Sequence, residues 1–529
     1  MPLPSGGLSC AGCPASFRGM RKTVRVQQFF LPGDAHGLSS SVNGFKIRTY
    51  SISCVRSDRS RKPCQETRVN PTAEVAGPDD PQALKLSELM AALSYALDIT
   101  EGQPPGHCVR CCWIGMHVGK ALGLSSSQLW ALYYTLLLKD LGCSSNAARI
   151  CELYLTDDLQ FKRNFKTVGN SLPQVLSFVF RHTGLKAPLA QRLRGWVTVM
   201  RRGNDFAQEL IATRCQRGAE IARLLRFPES VAEGIHSLDE HYNGNGRPDR
   251  LAGSAIPLFS RIALLAQVVD VFHTTAGPDA ALAEAATRSG QWFDPEVVKA
   301  FQAVAQDNDF WAVLASPQID DHVKALEPTD HRVPLDDAYL DDIATAFGQV
   351  VDAKSPYTSG HSQRVATYTE WLAIALDVSP ERRRWLKRAA YLHDVGKLGV
   401  SNSILDKAGA LDSAEWASVR EHARYTETIL SRISSFAELA RVAGAHHERL
   451  DGGGYPRGVS APDIPVETRI ITTADIFDAI TAERPYRAAI PVPKALDIMK
   501  QTVGTALDPV CFDALVQAVE QHAGLADEG

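Results

Sequence analysis

An internal repeat dominates this sequence of 529 residues, because four short motifs occur twice and in the same order. Such self-similarity indicates that one structural unit is encoded twice. The sequence therefore predicts two copies of one domain, at about 84–315 and 335–529, joined by a polar, Pro-containing linker at 316–334. The matched segments are 105–110 (Pro-Gly-His-Cys-Val-Arg) with 359–364 (Ser-Gly-His-Ser-Gln-Arg), 137–142 (Leu-Leu-Lys-Asp-Leu-Gly) with 391–396 (Tyr-Leu-His-Asp-Val-Gly), 240–248 with 448–456, and 293–295 with 507–509.

The repeated unit is predicted to be helical. Leu86, Leu89, Leu93 and Leu97 recur at steps of three and four residues, which marks one apolar face of a helix. The same pattern continues to the end of the chain, and no segment shows the strict alternation typical of a half-buried strand. We therefore expect an all-α fold with two tandem helical domains.

Residues 1–80 differ from the rest of the chain, since they are rich in Ser, Gly, Pro and Arg. The first 70 residues contain eleven Lys or Arg against three acids, a net of +8. Such a composition predicts a solvated, largely disordered arm. A tether to an anionic surface, a targeting segment and upstream sequence translated from a wrongly assigned start are alternatives.

Charge and hydropathy exclude several classes of function. The formal net charge is −4 and the sequence pI is about 6.4, which disfavours nucleic acid as a main partner. No run of 18 apolar residues predicts a membrane-spanning helix, and the first residues lack the layout of a secretory signal. The eleven cysteines of so long a chain are expected to be reduced thiols, so the sequence predicts a cytoplasmic protein.

The second copy contains a set of imidazole and carboxylate side chains at ordered spacing. These two ligand types suit Fe, Mn, Zn and similar divalent ions. Two pairs of adjacent candidates and three single ones exceed the needs of one ion, so the set predicts a dinuclear site that could clamp a phosphate. The candidate ligands are His361, His393, Asp394, His422, His446, His447 and Asp475.

These motifs resemble the HD-GYP family, a branch of the HD phosphohydrolase superfamily. The resemblance lies in residues 391–397 (Tyr-Leu-His-Asp-Val-Gly-Lys), 446–456 (His-His-Glu-Arg-Leu-Asp-Gly-Gly-Gly-Tyr-Pro), 474–479 and 484–487, and it covers 340–515. It implies two tandem HD-type helical domains, of which the second is catalytic. It also implies a metal-dependent phosphodiesterase that hydrolyses cyclic di-GMP to a linear dinucleotide or to GMP.

The resemblance assigns roles residue by residue. His361, His393, Asp394 and Asp475 match the ligands of one ion, and Asp394 bridges to a second ion held by His422, His446 and His447. Lys397 matches a lysine that meets the substrate phosphate, and Tyr455, Arg484 and Arg487 match positions that contact the dinucleotide. The family's Gly-Tyr-Pro loop corresponds to Asp451, Gly452, Gly454, Tyr455 and Pro456.

The resemblance also bears on the number and kind of ions. Some family members hold a third ion with a Glu four residues before the first His, a position that is Tyr357 in this sequence. We therefore expect two ions, Fe or Mn, with Ni, Co, Mg or Zn as alternatives.

The first copy retains few of these ligands. His107 and Asp140 remain, but other residue types replace the rest, and a protonated lysine cannot ligate a metal. We therefore expect this copy to be metal-free and inactive, with a structural or regulatory role such as homodimerisation or the binding of a signalling partner. The replacements are Lys139 for His393, Cys143 for Lys397, Cys215 for His422, Leu238 and Asp239 for His446 and His447, Gln267 for Asp475 and Arg247 for Tyr455.

Three functional hypotheses follow. The first is a cyclic di-GMP phosphodiesterase that acts through a dinuclear centre. The second is a phosphohydrolase for another cyclic dinucleotide or nucleotide. The third is an adaptor that senses a nucleotide without hydrolysing it.

Overall fold

The structure is a computed structural model that describes residues 84–165, 172–184, 188–331, 333–483 and 487–526. The predicted arm at 1–80 lies outside these residues. Within them the chain forms helices, 3-10 turns and isolated β-bridges but no strand, so the all-α prediction is confirmed. None of the described helices combines the length and the apolar character that crossing a bilayer requires.

Thirteen described helices make up the first helical unit. The longest is α7, with 36 residues. The helices are α1 (Leu86–Thr100), α2 (His107–Ala121), α3 (Ser126–Leu138), α4 (Ala147–Tyr154), α5 (Asp158–Phe165), α6 (Leu172–His182), α7 (Leu189–Leu224), α8 (Glu229–His236), α9 (Leu258–Ala276), α10 (Pro278–Thr287), α11 (Pro295–Val304), α12 (Asn308–Leu314) and α13 (Ile319–Lys324).

Nine described helices make up the second helical unit. A 3-10 turn at Val395–Gly399 follows α16 and carries Lys397. The helices are α14 (Asp337–Asp352), α15 (His361–Ala375), α16 (Pro380–Leu392), α17 (Asn402–Leu405), α18 (Ser413–Leu430), α19 (Ala437–Ala443), α20 (Val466–Thr481), α21 (Val492–Lys500) and α22 (Pro509–Ala526).

The segment predicted as a polar linker is partly folded. Residues 319–324 form α13, and Ile319 and Val323, four residues apart, are both buried against the first unit. Two apolar side chains on one helix face gain free energy by leaving water, which explains why this segment packs.

One hydrophobic core continues through both units. The hydroxyl of Tyr339 on α14 donates to the carbonyl of Leu225, and both residues are buried. Helix α1 of the first unit also packs against α18 and against the 3-10 turn at Val395–Gly399. The first unit therefore supports the part of the second unit that carries Lys397.

Corresponding glycines shape the two units in the same way. Gly106 and Gly360 both have a positive φ, of 85° and 69°, directly before the histidine that begins α2 or α15. This left-handed conformation favours glycine. Each glycine lets the chain turn sharply, so that His107 or His361 lies at the start of its helix.

Candidate metal centre

Three side chains from separate elements of the second unit converge on one point. His361 begins α15, His393 directly follows α16, and Asp475 lies on α20. Their nearest ligand atoms all lie within 4.8 Å of one another. We call His361, His393 and Asp475 the first triad.

A second group of three imidazoles lies beside the first triad. His422 projects from α18, while His446 and His447 follow the end of α19. Their ligand atoms also lie within 4.8 Å of one another. The hydroxyl of Thr472 donates to the carbonyl of His446 at 2.7 Å and fixes the backbone between the two imidazoles. We call His422, His446 and His447 the second triad.

Asp394 lies between the triads and faces both of them. Its Oδ2 is 3.2 Å from Nε2 of His361 and 3.3 Å from Nε2 of His393. Its Oδ1 is 3.5 Å from Nε2 of His422 and 3.7 Å from Nε2 of His446. One carboxylate can therefore serve two cation positions, one on each side.

Hydrogen bonds on the far side of the rings orient the imidazoles. Nδ1 of His393 and Nδ1 of His446 lie 2.7 and 2.6 Å from the carbonyls of Ala390 and Ala443, and Nδ1 of His422 faces the carbonyl of Val419. A carbonyl only accepts, so the ring proton belongs on Nδ1 and the lone pair on Nε2 points into the site. Such outer hydrogen bonds are typical of metal-binding histidines.

Burial keeps the second triad neutral. It lowers the pKa of His422 to about 4 and that of His446 to about 3, and it holds the pKa of His447 well below its ordinary value. Neutral imidazole is the form that ligates metals. His361 differs, because burial lowers its pKa but the adjacent carboxylates of Asp394 and Asp478 outweigh burial and raise it to about 9.

The residues fit a metal centre on structural grounds. Nε2 of His361, Nε2 of His393 and Oδ1 of Asp394 are buried, and among the described residues they find no hydrogen-bond partner. Buried polar atoms without partners are costly, so three of them at one site indicate that the site is built to hold a further group. A mixed set of imidazole and carboxylate suits a divalent transition metal.

The Gly-Tyr-Pro loop closes over the second triad. The ring of Tyr455 lies 4.7 Å from that of His447, between centroids, and burial raises the pKa of Tyr455. A Cβ on Gly454 would lie 2.5 Å from the backbone nitrogen of Arg449, so only glycine allows this close approach. Asp451 accepts from Arg449 at 3.0 Å and stabilises the turn at Gly452.

Of the three basic residues predicted to contact the substrate, the structure places only Lys397 at the metal site. Lys397 lies at the metal site, where its ammonium donates to Oδ2 of Asp394. Arg484 lies outside the described residues. Arg487 donates to the carbonyls of Ala479 and Ile480 near the end of α20, so it fixes this helix end.

A cavity of about 470 Å³ opens near the start of α15 and the end of α20. Tyr357, which takes the place of the third-ion Glu, lies on its wall and is 36% exposed. The lining of the cavity includes Arg364, which pairs with Asp478 at Nδ1 of His361, and it includes none of the seven candidate ligands. The lining residues are Pro356, Tyr357, Ser359, Arg364, Tyr368, Thr481, Ala482 and Glu483.

Asp478 was missed by sequence reasoning. Its Oδ2 lies 2.7 Å from Nδ1 of His361, and its Oδ1 accepts from Nε of Arg364 at 2.6 Å. The repeat contained the signal, because Asp270 makes the same two contacts with His107 and Arg110 in the first unit. Arg420 was also missed, and its guanidinium lies 5.5 Å from the ring centroid of Tyr455.

In the first unit, side-chain cations lie among the remnants of the site. The ammonium of Lys139 donates to Asp140 and lies 3.1 Å from Nε2 of His107. Burial lowers the pKa of Lys139, but Asp140 outweighs burial and raises it well above its ordinary value, so the ammonium stays charged. Donor groups also converge here, in the sets His107, Cys111, Asp270 and Glu101, Asp140, Cys143.

The sequence comparison matched Cys215 with His422, and the structure shows that this match was wrong by one residue. A Cβ on Gly396 would lie 1.9 Å from the carbonyl oxygen of His422, and a Cβ on Gly142 would lie 1.9 Å from that of Arg214. Arg214, and not Cys215, therefore stands where the second unit has His422. Its guanidinium pairs with Asp239, the counterpart of His447. No strong motif lies near these residues in the long helix α7, so the sequence could not fix the register.

Known proteins similar to this chain share its architecture. A family model described as "HD domain" matches residues 197–297 and 346–511. The 3'3'-cGAMP-specific phosphodiesterase 3 of Vibrio cholerae is 60% identical over 434 residues, which cover 82% of this chain and 94% of that protein. A crystal structure of a cyclic GMP-AMP specific phosphodiesterase from V. cholerae is 53% identical, with a TM-score of 0.58, over 83% of this chain and 98% of that one.

More distant relatives match a smaller part of the chain. The cyclic di-GMP phosphodiesterase response regulator of Xanthomonas campestris is 35% identical over 177 residues, 33% of this chain and 47% of that protein. The family match at 346–511 includes both triads. The chain therefore belongs to the HD-GYP family of HD-domain phosphohydrolases.

Proposed function

We propose that this chain hydrolyses 3'3'-cGAMP to a linear dinucleotide at the metal centre of its second unit. The observation that carries the proposal is the position of Asp394, one carboxylate shared by two triads of ligands. The 60% identity to a 3'3'-cGAMP-specific phosphodiesterase, over nearly the whole of that protein, supports the substrate.

The sequence alone favoured cyclic di-GMP, with another cyclic dinucleotide as the alternative. The relative with 35% identity, named for cyclic di-GMP, covers only a third of this chain, whereas the relative named for 3'3'-cGAMP covers most of it. The two substrates differ in one base, so the phosphodiester chemistry is the same for both. The proposal therefore changes the base that is recognised and leaves the reaction as predicted.

The first triad would hold one divalent ion and the second triad another, and Asp394 would offer an oxygen to each. When bound, such ions neutralise the phosphate and lower the pKa of water, so that hydroxide forms near neutral pH. Fe or Mn remains the proposed identity, because imidazole-rich sites with carboxylates suit these metals. Ni, Co, Mg and Zn are the alternatives.

The chain's own side chains bind and orient the substrate. Hydrolysis adds one water across a P–O3' bond, and the 3' oxygen leaves with a proton. Lys397, beside Asp394 and 19% exposed, can place positive charge next to the phosphate as negative charge builds up. Tyr455 presents an aromatic face at the second triad, and Arg420 adds a guanidinium above that face.

We further propose that the first unit binds no catalytic metal. Lys139 and Arg214 place fixed positive charge where the second unit has His393 and His422. A cation entering this space would meet a buried ammonium, and the repulsion is strong at low dielectric. Homodimerisation or partner binding through this unit, and a cytoplasmic location, remain predictions.

A direct assay tests the proposal. The full chain is purified without metal, reloaded with Fe(II) or Mn(II) under anaerobic conditions, and incubated with 3'3'-cGAMP, cyclic di-GMP and cyclic di-AMP at equal concentration. Chromatography of the products should show 3'3'-cGAMP consumed fastest. Faster turnover of cyclic di-GMP would overturn the substrate assignment, and no turnover with any metal would overturn the enzymatic one.

Two variants separate the enzyme from an adaptor. His393→Ala should abolish turnover, while His331→Ala, which changes an exposed histidine, should leave it intact. If the His393→Ala chain kept the full cellular effect of the wild type, the adaptor hypothesis would be favoured.

A further inference from the structure

A buried carboxylate of the first unit is bonded directly to the catalytic unit. Asp158, the first residue of α5, is 0% exposed. Its Oδ1 accepts hydrogen bonds from the hydroxyl of Ser401 and the backbone N–H of Asn402, both at 2.9 Å. These partners lie more than 240 residues further along the chain.

Asp158 also faces a buried cation of the second unit. Its Oδ2 lies 3.6 Å from Nζ of Lys354, which is 1% exposed. Burial would raise the pKa of Asp158, but Lys354 and Lys162 outweigh burial and lower it, so the carboxylate is charged. Removing one partner of such a pair leaves an uncompensated buried charge.

These contacts join two segments that lead to metal ligands. Asn402 donates from its side chain to the carbonyl of Lys354 at 2.7 Å, which ties the two segments together. Seven residues after Lys354 the chain reaches His361, and seven residues before Ser401 it leaves Asp394. Asp158 therefore contacts the segment that precedes His361 and the segment that follows Asp394.

The first unit holds Asp158 firmly. Lys162, one turn further along α5, donates to the carbonyls of Cys143 and Thr100 at 2.9 and 3.2 Å. Ile99 of α1 also lies against the 3-10 turn that carries Lys397, because a Cβ on Gly399 would be 3.0 Å from Cγ2 of Ile99. The catalytic segment is thus packed against the first unit at two places.

We infer that Asp158 of the first unit is a positioning residue for the reaction in the second unit. It fixes the segments 353–360 and 394–406, and through them the geometry of His361, Asp394 and Lys397. This role gives the first unit a part in turnover without a metal or a substrate of its own. Small displacements of reacting groups can lower rates by two orders of magnitude, so even a slight loosening should be measurable.

The test compares Asp158→Ala with Asp205→Ala, a matched change at a side chain of the first unit that is 72% exposed. Both are made in the full chain, loaded with metal and assayed well below their unfolding temperatures. We expect Asp158→Ala to lower kcat at least tenfold and to change KM less than threefold, with metal content equal to that of the wild type. Asp205→Ala should leave both constants within twofold.

The kinetic measurement rests on the proposed function. We therefore add a second measurement that needs no substrate. Hydrogen–deuterium exchange of 395–406 and 353–360 should be at least tenfold faster in Asp158→Ala than in the wild type. If the wild type hydrolysed no cyclic dinucleotide, the proposed function would fail, while the exchange rates would still decide the role of Asp158.

A folded, metal-loaded Asp158→Ala chain with wild-type kcat and wild-type exchange would overturn the inference. Should this variant not fold, the double variant Asp158→Asn/Lys354→Met removes both buried charges at nearly constant volume. We expect this double variant to fold, with kcat at least threefold below the wild type and faster exchange of 395–406. Unchanged values of both would equally overturn the inference.

Discussion

Oδ2 of Asp478 lies 2.7 Å from Nδ1 of His361, whereas Asp394 and Asp475 lie at Nε2 of the same ring. Burial would raise the pKa of Asp478, but His361 and Arg364 outweigh burial and lower it to about 2, so the carboxylate is charged near neutral pH. A charged acceptor at Nδ1 orients the ring and increases the basicity of Nε2.

We therefore expect Asp478→Ala to lower metal affinity or kcat by about 10- to 100-fold, because outer partners of metal-binding histidines have effects of this size. Titration with Mn(II) and steady-state kinetics measure the two quantities. Asp270→Ala is the matched control, since Asp270 makes the same contacts in the first unit. Equal losses of kcat in both variants, at a temperature where both are folded, would contradict the prediction.

Gly396 lets the 3-10 turn approach α18 closely. An added Cβ would lie 1.9 Å from the carbonyl oxygen of His422 and 2.6 Å from the backbone nitrogen of Thr426, and neither backbone atom can move alone. Gly396→Ala should therefore lower the free energy of unfolding by about 3 kcal/mol, as severe overpacking does.

Urea unfolding measures this loss, and Gly409→Ala provides the control. A Cβ on Gly409 meets nothing within 4 Å, so its effect should stay within about 0.5 kcal/mol. The same unfolding midpoint for both variants would show that the backbone at Gly396 relaxes freely.

Much of the site could be predicted from the sequence because its ligands stand in short motifs. The pair His393-Asp394 and the pair His446-His447 are adjacent in the chain, and the structure brings both pairs together with the three single ligands. The repeat also indicated that Lys139 replaces a ligand. Short motifs were sufficient to identify these residues as ligands, because the ability of an imidazole or a carboxylate to bind a metal is a property of the side chain itself.

Features that depend on long-range packing could not be predicted. The register of Arg214 is fixed by its contact with Gly142 across two elements, and the predicted ligand match at Cys215 was therefore wrong. The contact of Asp158 with Ser401 joins residues of different units, and no motif marks either of them.

Lys397 is expected to act on the phosphate and not on metal binding. Its ammonium reaches Asp394 from outside the two triads, and the side chain is 19% exposed, so its removal should leave the ligands in place. Lys397→Ala should lower kcat about 100-fold, as the loss of a group that stabilises developing negative charge does. Metal analysis of the same sample should match the wild type.

Lys407→Ala serves as the control, because Lys407 is 35% exposed and pairs with Glu415 away from the triads. Its kcat should stay within twofold of the wild type. Loss of metal from Lys397→Ala would contradict the assigned role.

The metal content distinguishes the two units. The second unit offers two triads, whereas Lys139 and Arg214 place positive charge in the first, so the loaded chain should contain two ions and not four. Elemental analysis after reconstitution with Mn(II) measures this number. His446→Ala should lower it to one or none, and His107→Ala should leave it at two. A lower content in His107→Ala would show that the first unit binds metal.

Acid stability tests the charge of Asp270 in the first unit. Burial would raise its pKa, but His107 and Arg110 outweigh burial and lower it from 3.8 to about 2. Because the folded-state pKa is below the unfolded value, this ionisation stabilises the fold fully above about pH 4, and the stabilisation is lost as the pH falls towards 2.

The pKa difference corresponds to about 2 kcal/mol of unfolding free energy. Asp270→Asn should lack this contribution, so its stability should fall by about 2 kcal/mol less than that of the wild type between pH 5 and pH 2. Urea unfolding of the metal-free chains at several pH values measures the two curves, and Asp205→Asn should follow the wild type. Parallel curves for Asp270→Asn and the wild type would mean that His107 and Arg110 do not stabilise the charged carboxylate.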